Sequence, residues 1–147
     1  MGGTLGIVIG RAASRVSESD ALDFVGGWVT VNDVSIPHES YYRPAIKQRC
    51  RDGFCPVGAV APVHSLDSGN AQIRIFLNGV LKATASTMNL VRPVARLIAD
   101  VTEFMTLRTG DILLVGEPDN APLAGPGDRV CVEIAGLASI ENTLETE

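Results

Sequence analysis

The chain has no apolar run near the roughly 18 to 20 residues that a membrane-spanning helix requires. Its start shows no basic segment leading into an apolar core and a cleavage site. Both absences point to a cytoplasmic protein with no membrane partner. A surplus of positive charge is also missing: 12 Lys and Arg stand against 17 Asp and Glu, interspersed, for a formal charge of -5. Gripping a phosphate backbone takes a basic face, so the balance argues against nucleic acid as a partner. Cysteine and histidine are scarce, with three and two copies. Cys50, Cys55 and Cys131 form no CxxC and read as reduced thiols, with Cys131 in a core strand. His38 and His64 lie too far apart for ligand spacing and read as surface or turn residues. No Ser-His-Asp set, P-loop or dinucleotide fingerprint occurs, which disfavours serine hydrolase, nucleoside triphosphatase and dehydrogenase chemistry.

What remains is an ordinary globular composition, 46% hydrophobic and 20% charged over 147 residues. That length suits one domain with a real core. Leu5–Ile9 reads as a buried strand. Ser17-Glu18-Ser19-Asp20 resembles a capping box opening a short helix through Phe24 and Val25, which Gly26-Gly27 would end. Trp28–Val34 carries β-branched residues at Val29, Thr30, Val31 and Val34 and reads as a strand. Asn78-Gly79, between Gln72–Leu77 and Val80–Thr84, predicts a hairpin with a type I′ turn. Thr87 is a candidate cap for a helix whose apolar face is Leu90, Val94, Leu97, Ile98, Val101, Phe104 and Met105, with Pro93 in its first turn. Arg92 and Arg96 fall on the solvated side. Strands follow at Ile112–Val115, Arg129–Ile134 and Leu137–Ile140. Six or seven strands and two helices make this a β-rich α+β chain.

The chemistry concentrates between Trp28 and Gly58. Asp33 ends an apolar strand, and the irregular segment after it is broken by Pro37, Pro44 and Pro56. Long irregular segments in compact domains are commonly functional. Asp33 could supply an oxygen to a hard cation such as Mg2+, and it equally suits a turn at a strand end. Arg43, Lys47, Arg49 and Arg51 lie beside Tyr41 and Tyr42. Guanidinium groups match carboxylates bidentately, so this loop reads as a carboxylate clamp or as a solvated basic loop. Gly116-Glu117-Pro118 and Gly127-Asp128 are glycine-bearing loops after strands, which turns alone would explain.

LGIVIGR, ALDFVGGWVTVNDVS, EFMTLRTGDILLVG, PGD and GLASIEN together resemble the fumarylacetoacetate hydrolase family over Leu5 to Asn142. SYYRPAIKQRCRDGFCPVG is similar to the branch of that family in 4-hydroxyphenylacetate (homoprotocatechuate) catabolism, in the amino-terminal half of its two-repeat members. The resemblance implies a mixed β-sandwich roll of the C-terminal-domain type, spanning residues 1–147 as a single domain and lacking the upstream family segment. It implies a homodimer or pairing with a paralogous half. It also implies Mg2+ or Mn2+ held by three carboxylates, with Asp33 as the third ligand, and Arg49 where a lysine is usual. On the same ground Arg49 and Lys47 are the candidate catalytic residues, and Tyr42, Arg43, Gly116 and Glu117 the substrate-binding ones.

The departures from the family pattern bear on that site. Gly2 and Thr4 stand where a Glu-x-Glu metal pair is usual, Pro37 replaces an arginine, and Glu117 replaces the threonine of a Gly-Thr-Pro. The function implied is metal-assisted decarboxylation or tautomerisation of an unsaturated oxo-dicarboxylic acid. Members of this branch act as 5-oxopent-3-ene-1,2,5-tricarboxylate decarboxylase and 2-hydroxyhepta-2,4-diene-1,7-dioate isomerase. The alternative is a degenerate half that pairs with and stabilises a catalytic paralogue.

Overall fold

The computed structural model describes residues 1–38, 44–119 and 121–146. Seven strands run in the order β1 (Gly2–Ile9), β2 (Val25–Asp33), β3 (Gln72–Leu77), β4 (Val80–Ser86), β5 (Ile112–Leu114), β6 (Arg129–Ile134) and β7 (Ile140–Thr143). They form two sheets, β2-β1-β5 and β4-β3-β6-β7, and every pairing between them is antiparallel. Two α-helices, α1 (Ile46–Arg49) and α2 (Val94–Phe104), and three short 3-10 turns complete the elements among the described residues. The mostly β, few-helix architecture agrees with the sequence expectation. No helix among the described residues is long and apolar enough to cross a membrane.

The two faces of β1 divide the work. Leu5, Ile7 and Ile9 alternate along the strand, are fully buried, and share one core with Ile73, Ile75, Val130, Val132 and Ile134 of the second sheet. Each such side chain contributes about 1.5–3 kcal/mol by leaving water. The other face carries Gly2, Thr4 and Gly6. A Cβ on Gly6 would lie 2.6 Å from Val29 Cγ2 and 2.9 Å from Ile112 Cγ2. Side chains of the strands on either side therefore lean across β1 and close that face over it.

Several local expectations need correction. Gly26-Gly27 do not end a helix. Ala21–Phe24 is a single 3-10 turn, and both glycines lie inside β2. A Cβ on Gly26 would sit 2.7 Å from the Cα of Gly10, so two backbones meet there. Thr87 lies in a 3-10 turn ahead of α2, and its Oγ1 accepts from Ala71 N at 2.7 Å while Ser86 caps the turn. Pro93 sits just before the helix rather than in its first turn. The core-facing stripe runs from Val94 to Val101, leaving Phe104 78% and Met105 48% exposed. The helix stops at Phe104 because the chain leaves to bridge Leu107 with Ala13. The last strand is shifted to Ile140–Thr143, because Gly136, at φ +90, turns the chain and draws Leu137 into it.

The Asn78-Gly79 hairpin forms as expected, both residues having positive φ. Asn78 Nδ2 donates to Asp128 Oδ1 at 2.8 Å, tying this turn to the Pro-Gly-Asp turn. Arg92 and Arg96 both reach Asp100 from the solvated side of α2.

The Gly10–Gly26 crossing yields a stability prediction. The obstacle to a side chain there is backbone, which no rotamer relieves. Gly26→Ala should therefore destabilise by about 1–3 kcal/mol, as overpacked sites do. That corresponds to roughly 2–12 °C in melting temperature at this size, by thermal denaturation. Gly53→Ala gives the comparison, since a Cβ at Gly53 would meet nothing within 4 Å and only its positive φ is strained.

Candidate functional site

Backbone pairing assembles three strand ends. Gly2 is the register partner of Asp33. On the other side β5 runs antiparallel with Gly6 opposite Leu114, so the chain beyond β5 passes the start of β1. There Thr4 Oγ1 donates to Gly116 O at 2.6 Å, and Gly116, at φ +104, turns the chain so that Glu117 points back across Gly2. A side chain on Gly2 would collide with the Glu117 carboxylate. Glu117 thus fills the space that glycine leaves open.

The irregular segment after β2 returns along the free edge of that strand. Asn32 N donates to Pro56 O and Val34 N to Phe54 O, while Trp28 and Ala61 exchange a pair of hydrogen bonds. Ile36 N donates to Gln48 O, which holds α1 near the end of β2. Arg49, on α1, then reaches both carboxylates: Nη1 lies 3.8 Å from Asp33 Oδ2, and Nη2 lies 3.4 Å from Glu117 Oε1. Arg49 is 47% exposed in its side chain, against 23% and 24% for the two acids. Ion pairs this open contribute about 0–1 kcal/mol each, so their attraction adds little to the fold, and the guanidinium matters more by standing between two like charges. Its formal charge is -1, from two carboxylates and one guanidinium.

Of the residues expected from the sequence, Asp33, Arg49 and Glu117 come together, and Gly116 is held beside them by Thr4. Lys47 is exposed on α1, stands outside this cluster, and makes no ion pair among the described residues. Tyr42 and Arg43 lie outside the described residues. Arg51 donates to Lys47 O at 2.8 Å and stacks over Phe54 at 5.9 Å, so it braces the loop. Cys55 sits nearby, its thiol pushed above the usual value by burial and then by the Asp33 charge. The three thiols are free, as expected.

Glu117 also lines a cavity of about 440 Å3 with Gly116, Pro118, Thr84, Thr87 and Arg92. That is within the usual range for small-molecule sites.

The metal set implied by resemblance does not fit these residues. A hard divalent ion takes several oxygens at short range, and no group of three His, Cys, Asp or Glu among the described residues could hold one. Among the described residues two carboxylates converge, with a guanidinium ion-paired to both. Gly2 and Glu117, separate departures in the sequence, are neighbours in space, and no signal local to either residue pairs them.

Comparison with known proteins agrees with the fold. The profile of the fumarylacetoacetate (FAA) hydrolase C-terminal domain matches residues 1–145. The 4-hydroxyphenylacetate degradation bifunctional isomerase/decarboxylase of Salmonella dublin is 41% identical over 146 residues, which are 99% of this chain and 34% of that enzyme. The 2,4-didehydro-3-deoxy-L-rhamnonate hydrolase of Sphingomonas sp. (strain SKA58) is 37% identical over 129 residues, 85% of this chain and 44% of that one. Among solved structures, 5-carboxymethyl-2-hydroxymuconate delta-isomerase from Mycobacterium smegmatis matches with a TM-score of 0.91 at 29% identity, covering 98% of this chain and 57% of that one. This chain spans about a third of the length of the bifunctional enzymes it matches. Matched along almost all of its residues by sequence profile and by three-dimensional shape, the chain belongs to the fumarylacetoacetate hydrolase family.

Proposed function

We propose that this chain serves in the catabolism of aromatic compounds as a cytoplasmic isomerase/decarboxylase-type domain acting on an unsaturated oxo-dicarboxylic acid. The observation that carries the reading is the 41% identity to an isomerase/decarboxylase over 99% of this chain. The Asp33–Arg49–Glu117 cluster beside a cavity of ligand size supports it.

The chemistry follows from the groups present. The half-exposed Arg49 guanidinium has N–H groups left over from its two long contacts, and these donate to the 2-oxo oxygen of the substrate. Asp33 takes a proton from the carbon next to that carbonyl. The C–H electron pair moves into a new C=C bond, and negative charge grows on the oxygen beside the guanidinium, which stabilises it. Returning the proton at the far end of the conjugated system completes the tautomerisation. In the decarboxylating direction the C–COO bond breaks instead, and its electron pair enters the same enolate as CO2 leaves. Lys47, with Arg43 and Tyr42 of the same loop, holds the distal carboxylate. Gly116 and Glu117 form the cavity wall on the other side.

A second reading is favoured by the negative charge of the cluster and its missing third carboxylate. In it the chain is a partner half that stabilises a catalytic paralogue or pairs with its own copy.

An absorbance assay on a conjugated oxo-dicarboxylate, run with the chain alone and mixed with a catalytic family domain, separates the two. On the enzyme reading Asp33→Asn lowers kcat by about 10²- to 10⁴-fold with little change in KM. Lys47→Ala raises KM by about tenfold, the loss of some 1.4 kcal/mol of binding, and leaves kcat near its starting value. Turnover that appears only in the mixture and ignores Asp33→Asn would leave the partner-half reading standing in its place.

A further inference from the structure

We infer that the Arg49 guanidinium is the resident cation of this site, a built-in positive charge that takes over the place of a divalent ion and makes the site independent of metal. This goes beyond the substrate reading and concerns the site before any substrate binds. Three observations meet in it. Arg49 uses separate nitrogens for the two acids, Nη1 toward Asp33 and Nη2 toward Glu117, so the fork spans the pair rather than matching one carboxylate. The second acid reaches the fork only because residue 2 is glycine: any side chain on Gly2 would occupy the volume of the Glu117 carboxylate. An acid on β1 at that position and the Glu117 arrangement therefore exclude each other. Finally, Arg49 is delivered by backbone, through α1 and the Ile36–Gln48 hydrogen bond.

A tethered cation acts at a high effective concentration, whereas a divalent ion would have to shed water and displace it with two oxygens only. Asp33 and Glu117 have no other ion-pair partner among the described residues. Removing the guanidinium leaves two like charges facing each other across the start of β1. That repulsion is what an added cation, or neutralisation of one acid, relieves.

The test uses the whole chain, MnCl2 and MgCl2 as probes, and no substrate, so its failure is separable from failure of the proposed activity. Free Mn2+ is followed by electron paramagnetic resonance and stability by thermal melting. The wild-type chain should bind no Mn2+ and melt at the same temperature with Mn2+, Mg2+ or a chelator. Arg49→Met, with Arg49→Gln as a second variant, should melt lower. Each should recover with Mn2+, bind it at least about tenfold more tightly than wild type by the same electrostatics that shift carboxylate equilibria, and recover without metal when Glu117→Gln is added. Arg49→Lys, which keeps the charge but not the fork, should bind no Mn2+ and melt between wild type and Arg49→Met. The inference is overturned by wild-type Mn2+ binding that Asp33→Asn abolishes. It is equally overturned if Arg49→Met and Arg49→Gln melt as wild type, or if their loss of stability answers neither to Mn2+ nor to Glu117→Gln.

Discussion

Pairing of β1 with a strand on each side is the constraint on which the rest of the structure depends. It places Asp33 opposite Gly2 and carries the chain after β5 past the same point. A slip of one residue turns every side chain of a strand to the other face. In β1 it would turn Leu5, Ile7 and Ile9 out of the core and put Gly2, Thr4 and Gly6 in their place. Burial of these aliphatic residues against Ile75 and Val132 thus secures the positions of groups on the opposite face, which add little stability of their own.

That division explains how a site can change while its fold persists. The core side of β1 is closely packed, and a Cβ on Gly3 would come within 2.8 Å of both Val132 and Ile75. The other side uses Gly2, Thr4 and Gly6, where side chains of neighbouring elements fill the space that glycine leaves. Thr4, fully buried, meets its hydrogen-bonding need at Gly116 O and so fixes the turn that aims Glu117. Glu117, reaching back from the loop after β5, puts negative charge beside Gly2 and Asp33. Meanwhile the cation arrives from a helix that the edge of β2 holds in place.

The strands and the hairpin were legible because their signals are local. Alternation in β1 and β6, β-branched residues in β2, and Asn78-Gly79 each act through the conformation of a few adjacent residues. The errors fell where distant backbone decided. Gly26-Gly27 looked like a helix stop, but the reason for glycine there is the approach of Gly10. Phe104 and Met105 continued the apolar period of α2, yet the bridge of Leu107 to Ala13 ends the helix before they can pack. In the site, Asp33 and Arg49 are residue types suited to ions, and Gly116 and Glu117 stand out only through the family resemblance, while the ion pairs joining Arg49 to both acids span 16 residues in one direction and 68 in the other.

By itself, the sequence determined the family, the β-rich class, the extent of most long strands and the segment that carries the ionic chemistry. Those follow from period, residue type and length of match, which are properties of neighbours along the chain. Only the tertiary structure decided what the departures at Gly2, Thr4 and Glu117 mean. Volume and charge are shared between residues more than a hundred positions apart, and only packing shows that one side chain stands where another is missing.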